Sequence, residues 1–107
     1  MAVEVFIRRR RLIGEKDKAV APLIVRLRSL ALTQPGYICG ETLRCIEPAE
    51  EVEYLVRASW NSVEDWKRWL HSDQRKAIQD QIDAITGETT EYRIYEPLVG
   101  GIIGKQS

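Results

Sequence analysis

The stretch VEYLVRASWNSVEDWKRWLHSD, residues 52–73, changes its period in the middle, and that change decides the fold. Up to Trp60 the residues alternate: Val52, Tyr54, Val56, Ala58 and Trp60 share an apolar face, while Glu53, Leu55, Arg57 and Ser59 share the other. This is the two-residue repeat of a strand. Beyond it Trp66, Trp69 and Leu70 recur at three and four residues, the buried edge of a helix. Between the two, Asn61 with Glu64 and Ser62 with Asp65 both have the spacing at which a side chain meets the unpaired N–H groups of a helix start. An indole, Trp60, therefore sits where a strand hands over to a helix.

Working outward, the acidic loop Glu47 to Glu51 links this strand back to another at Tyr37 to Ile46, which the turn Pro35-Gly36 precedes. Before it, Ala19, Val20, Leu23, Ile24, Leu27, Leu30 and Ala31 mark an amphipathic helix over about 16–32. Pro22 implies either that its regular part starts there or that it kinks. Val3, Val5 and Ile7 alternate with Glu4, Phe6 and Arg8 in a first strand ending near Arg9 or Arg10. Downstream, a break at Ser72-Asp73 opens a further helix with Ala77, Ile78, Ile82 and Ile85 on one face; Gly87 stops it, and Thr89 to Glu96 is the last strand. The order β, α, β, β, α, β with a split second helical region is the α+β, ferredoxin-like split βαβ arrangement, a four-stranded antiparallel sheet with helices on one face. It occupies residues 2–97 as one domain, with 98–107 as a C-terminal tail. The uncovered face, carrying Leu55, Ile94 or their neighbours, calls for a second copy packed sheet against sheet, a homodimer to which the apolar tail Leu98 to Ile103 reaches across.

Composition narrows the function. Across 107 residues, 16 Lys and Arg balance 16 Asp and Glu, so no phosphate-neutralising surface, and hence no nucleic-acid partner, is expected. No run approaches the roughly 18–20 apolar residues of a membrane span, and the N-terminus does not read as a signal peptide, so no membrane partner and a cytoplasmic location are expected. Cys39 and Cys45 on one strand stand roughly 20 Å apart, too far for a disulfide; they read as buried thiols in a reducing compartment. One histidine, His71, and no Cys/His cluster leave no basis for a metal site, and Gly100-Gly101 opens no helix as a phosphate loop must, so no cofactor is expected.

What remains is an aromatic and basic set. A cavity between sheet and helices, walled by Trp60 and Tyr54 with polar groups from Arg9, Asn61 or His71, suits a flat, conjugated, partly anionic molecule. Each residue also has a plain reading. Trp66 and Trp69 are core, His71 caps a helix end, and Arg8 to Arg11 divide between the faces of a strand as solvated or ion-paired groups. Arg9 shares parity with Val3, Val5 and Ile7. If it ends inside, burial without a partner costs several kcal/mol, so a carboxylate or an anion should meet it.

The basic end of strand 1, Gly14, Pro35-Gly36, Ser59-Trp60-Asn61-Ser62 and Trp66-Lys67-Arg68-Trp69-Leu70-His71-Ser72 together resemble the antibiotic biosynthesis monooxygenase (ABM) domain family over about residues 3–96. The resemblance implies a dimeric α+β barrel with a ligand pocket in each subunit. It implies one of several activities: cofactor-independent oxygenation of aromatics, haem degradation, or isomerisation of small molecules. The haem-degrading branch uses an asparagine on strand 1, a tryptophan ending strand 3 and a helix histidine. Trp60 matches, but Ile7 and Gln79 fall at the other two positions, which disfavours haem degradation. The oxygenase implication makes Trp60 the wall of a slot for a small aromatic, quinol-like ligand. Asn61 or Arg9 would be the hydrogen-bond donor and Tyr54 or His71 the proton relay, with Ile7, Arg9 and Trp69 in contact with substrate. A non-catalytic ligand-binding dimer and a small-metabolite isomerase are the alternatives. A cavity of about 300 Å³ or more beside Trp60 is the expectation for a ligand site.

Overall fold

The computed structural model describes residues 2–10, 14–49, 53–87 and 89–98. Its elements are β1 (Val3–Arg10), α1 (Glu15–Ala31), β2 (Tyr37–Arg44), β3 (Glu53–Trp60), α2 (Val63–Leu70), α3 (Asp73–Thr86) and β4 (Glu91–Tyr95). The strands form one antiparallel sheet in the order β2-β3-β1-β4, and this is the α+β ferredoxin-like fold. Alternation sets the faces. Val3, Val5, Ile7 and Arg9 stand opposite Trp60, Ala58, Val56 and Tyr54, so these eight side chains point to the helices. Val20, Ile24 and Leu27 of α1 and Ile78 and Ile82 of α3 close over them as a single core.

Two caps fix the split helical region. Ser62 accepts a hydrogen bond from the Asp65 N–H at 3.1 Å, and Ser72 from the Arg75 N–H at 3.2 Å, so α2 and α3 each start on a serine. Gly36 has φ 88°, and an added Cβ would lie 2.2 Å from Asp65 Oδ2; glycine there lets the turn before β2 lie against α2. The Gly36 carbonyl accepts the Asn61 N–H at 2.7 Å, tying that turn to the end of β3.

Several expectations are corrected. Helix α1 begins at Glu15 and carries Pro22 inside it, so Pro22 does not set its start. On α3 Ala77 is exposed, and the buried stripe is Arg75, Ile78, Gln79, Ile82 and Thr86. At 3.6 residues per turn, positions 75, 79, 82 and 86 fall within a narrow arc and 77 falls behind it. Cys39 is an exposed free thiol, not a buried one, because β2 is an edge strand and nothing covers its outer side; Cys45 is half-buried and also free. Ile94 stands opposite Val5 and therefore on the helix side, so of the two apolar residues expected on the open face only Leu55 is there. Leu43 stands beside Leu55 there, and a charge lattice surrounds them: Arg8 with Glu53 at 2.8 Å, Arg57 with Glu4 at 2.8 Å and Glu41 at 3.2 Å, and Arg10 with Glu91 at 3.2 Å. Phe6 and Tyr95 meet edge to face within it, 5.2 Å apart. Arg11, Val52 and the tail beyond Leu98 lie outside the described residues. Among the described residues no helix is long and apolar enough to cross a membrane.

Candidate functional site

A cavity lies between the inner face of the sheet and the three helices. Ile7 and Arg9 of β1, Val56, Ala58 and Trp60 of β3, and Gly40 and Thr42 of β2 form its floor; Ile24, Leu27 and Ala31 of α1, Trp66 and Trp69 of α2, and Arg75 of α3 form its other walls. Arg28, Glu41 and Thr42 are its exposed lining residues, so it opens between α1 and β2. Tyr37 reaches it through a register shift between Tyr37 and Cys39, which turns Tyr37 to the same face as Gly40 and Thr42. The space open to the centres of water molecules is about 60 Å³. At roughly 10–15 Å³ of such space per water and roughly 30 Å³ of liquid each, this is room for about five waters, or a single aromatic ring. The hollow is smaller than the 300 Å³ expected, because the Trp60, Trp66 and Trp69 indoles all project into the layer between sheet and helices.

The aromatic wall is continuous. Trp60, 1% exposed, meets Tyr37 edge-on at 5.2 Å and Trp66 at 5.9 Å, and Trp66 continues to Tyr92 at 6.0 Å. Its polar end is cationic. Arg9 and Arg75, 3% and 2% exposed, both reach the cavity, and Gln79 joins them: its Oε1 accepts from Arg9 Nη2 at 3.0 Å and from Arg75 Nη2 at 3.5 Å. The amide is fixed from its other end, donating to Asp83 Oδ1 at 2.8 Å and Thr90 Oγ1 at 2.9 Å. Arg75 also donates to Tyr92 Oη at 2.9 Å and lies over the Trp66 and Tyr92 rings at 5.5 and 5.0 Å. Among the described residues neither guanidinium has an ion-pair partner. Burial first, and then repulsion from Arg75, lower the Arg9 pKa to about 10, while Tyr92 and Asp83 act the other way. Arg9 is thus still a cation at neutral pH. Two cavity-lining residues each carry a buried donor, Arg9 Nε and Trp60 Nε1, that has no hydrogen-bond partner among the described residues. Each such group costs about 1–3 kcal/mol.

The structure brings Ile7, Arg9, Trp60 and Trp69 together around this hollow and places the other candidates elsewhere. His71 is exposed at the C-terminal cap of α2, where its backbone N–H bonds to the last turn. Asn61 is exposed, one residue past β3. Tyr54 shares the inner face but donates its hydroxyl to Asp17 Oδ1 of α1, a bond that pushes the phenol pKa above its ordinary value. Arg75 and Gln79 are the residues that the sequence reading left out of the cluster around Arg9. Their signal was present: Arg75 is three residues before Ile78 and seven before Ile82, on the face that must be buried. Both ends of the Gln79 amide are engaged, and Ile7 offers no donor, so the residues present do not fit haem held as the haem-degrading branch holds it.

No curated protein matches the chain. Among solved structures, a mutant of SnoaB, a cofactor-independent oxygenase from Streptomyces nogalater, is similar to it with a TM-score of 0.76 at 17% identity, covering 92% of this chain and 95% of that one. A conserved protein from Methanosarcina mazei Go1 is similar with a TM-score of 0.77 at 20% identity, covering 89% and 91%. Rv0793 from Mycobacterium tuberculosis is similar with a TM-score of 0.79 at 13% identity, covering 94% and 98%. At these identities the likeness is one of fold. The family model for antibiotic biosynthesis monooxygenases matches residues 5–81, which span β1 to most of α3 and hold every cavity residue named above. The chain belongs to the antibiotic biosynthesis monooxygenase family.

Proposed function

We propose that the protein is a cofactor-independent monooxygenase of a small, quinol-like aromatic. The observation that carries this reading is the indole-walled cavity with a cationic end, whose lining residues Trp60 and Arg9 each hold a buried N–H unpaired among the described residues. In such a reaction the substrate supplies the electrons. A quinol losing a proton places negative charge on ring carbon, which forms a C–O bond with dioxygen to give a hydroperoxide. The O–O bond then breaks as the proton on that carbon leaves, producing a new carbonyl, the hydroxyquinone, and one water. Dioxygen is the only oxidant, and both its atoms are accounted for. The protein's part is to hold the ring against Trp60 away from bulk water. The Trp60 N–H and the field of Arg9 and Arg75 then stabilise the oxyanion, in a medium where such interactions are strong. No carboxylate or imidazole among the described residues lies at the closed end of the cavity, so the cationic field lowers the substrate's own pKa and water takes the proton.

The isomerase alternative needs a proton-moving side chain at the cavity, and His71, its candidate, is exposed at the end of α2. Pairing of two copies through the open sheet face, around Phe6, Leu43, Leu55 and Tyr95, belongs to the same proposal; Leu43 and Tyr95 are exposed there in the single chain. Light scattering behind gel filtration tests it, a dimer mass being the expectation. For the reaction, oxygen uptake on adding methylhydroquinone to chelator-treated protein should exceed the spontaneous rate at least tenfold. Trp60→Phe, which keeps a ring and removes the N–H, should lower the rate more than it lowers affinity. Affinity without any uptake would make the protein a ligand-binding dimer instead.

A further inference from the structure

We propose that the cationic end of the cavity is a carboxylate site, so that the preferred ligand is a single-ring aromatic acid whose carboxylate meets Arg9 and Arg75 while its ring lies against Trp60. The inference rests on the reading of this cavity as a substrate site and adds the substrate's class. Three observations carry it. Two guanidiniums, each at least nine-tenths buried, lie on the cavity wall with a neutral amide, Gln79, between them and no ion pair among the described residues. Arg9 Nε, a buried charged donor, has no acceptor among the described residues. The free space fits about one ring.

Buried charges are ordinarily paired, because an uncompensated one is costly. Among the described residues, Asp83 is the carboxylate whose charge acts on Arg9, and it does so from the far side of Gln79, to which it is hydrogen-bonded. Two cations set against one acidic group leave a single positive charge to be met. A monoanionic carboxylate meets it, whereas a doubly charged phosphate would overshoot and bring more oxygens than the apolar walls can hydrogen-bond. A planar carboxylate on a flat ring also suits the slot shape that Trp60 and Trp66 impose, and a guanidinium is the side chain that pairs with it most strongly.

The test compares 2,5-dihydroxybenzoate with hydroquinone, its neutral core, and with inorganic phosphate, by calorimetry at fixed ionic strength. The expected result is at least tenfold tighter binding of the benzoate than of hydroquinone, no competition from phosphate at the same concentration, and a preference reduced to within twofold in Arg9→Met. Equal binding of benzoate and hydroquinone by the unaltered protein overturns the carboxylate site, whether or not the variant folds. Competition by phosphate overturns it as well. Oxygen uptake separates this proposal from the one it rests on. Turnover of methylhydroquinone without benzoate preference leaves the oxygenase reading and removes the acid site. Benzoate preference without turnover of either compound does the reverse.

Discussion

Replacing Arg9 by methionine should make the protein more stable, and the magnitude follows from the site. Burial and the neighbouring Arg75 lower the Arg9 pKa well below the ordinary guanidinium value, to about 10. At about 1.4 kcal/mol for each factor of ten, holding the charged form inside costs about 3 kcal/mol at neutral pH. Methionine keeps most of the apolar stem and removes the charge, together with the unpartnered Nε. The loss is one hydrogen bond to Gln79 Oε1, which keeps Arg75 Nη2 at 3.5 Å; that offsets about 1–2 kcal/mol. The net expectation is a gain of about 1–2 kcal/mol, or a melting temperature higher by roughly 5–10 °C. Urea and thermal unfolding at one fixed protein concentration measure it, since pairing of chains makes stability concentration-dependent. The difference should narrow in alkali. The folded chain sheds the Arg9 proton near 10 and the unfolded chain only at its higher, ordinary value. Between those values the unfolded state holds more protons, and the wild type gains on the variant as pH rises. A variant less stable than wild type by 1 kcal/mol or more would refute the reasoning, because Arg9 would then be a structural contact and not a cation retained against stability for a ligand.

Gly36→Ala should cost about 2–4 kcal/mol, since its φ of 88° and the approach to Asp65 both exclude a Cβ; Asp65→Ala in the same chain should restore part of it, and an unchanged urea midpoint would deny the contact. Tyr54→Phe should lose about 1 kcal/mol and remove one late component from the tyrosine titration followed at 295 nm. The Tyr54 bond to Asp17 raises the phenol pKa, so its contribution is complete below pH 10 and lost as pH climbs past the raised value; four tyrosines all ionising near 10 would contradict this.

The fold was legible because its strands are strictly patterned. Val3 to Arg9 and Tyr54 to Trp60 each put one parity inward, and the structure pairs those two parities face to face. The same parity argument allowed Arg9 an inward position, where it is 3% exposed, and asked for a partner if it lay there. What went unread was the partner's kind, although the spacing of Arg75 from Ile78 and Ile82 signalled it. Gln79 and Arg75 sit on α3 among charged and polar neighbours, and a stripe of Arg, Gln and Thr looks like a solvated face until the ends of β1 and β4 are laid across it. Pro22 left two readings open, a helix starting there or one carrying it inside, and the structure has it inside: α1 begins at Glu15, and its buried stripe runs from Val20 to Ala31. Cys39 misled because neither strand order nor facing is a local property: it stands opposite Ser59 on the open face of an edge strand. His71 and Asn61 drew attention by residue type and turned out to serve the ends of secondary-structure elements.

The most direct test of the central claim is the fate of dioxygen. Chelator-treated protein turning over a single-ring quinol under ¹⁸O₂ should place one labelled oxygen in the organic product and the other in water, with no added reductant. Quinone formed with both labelled atoms recovered as hydrogen peroxide, or no product above the spontaneous rate, would contradict it.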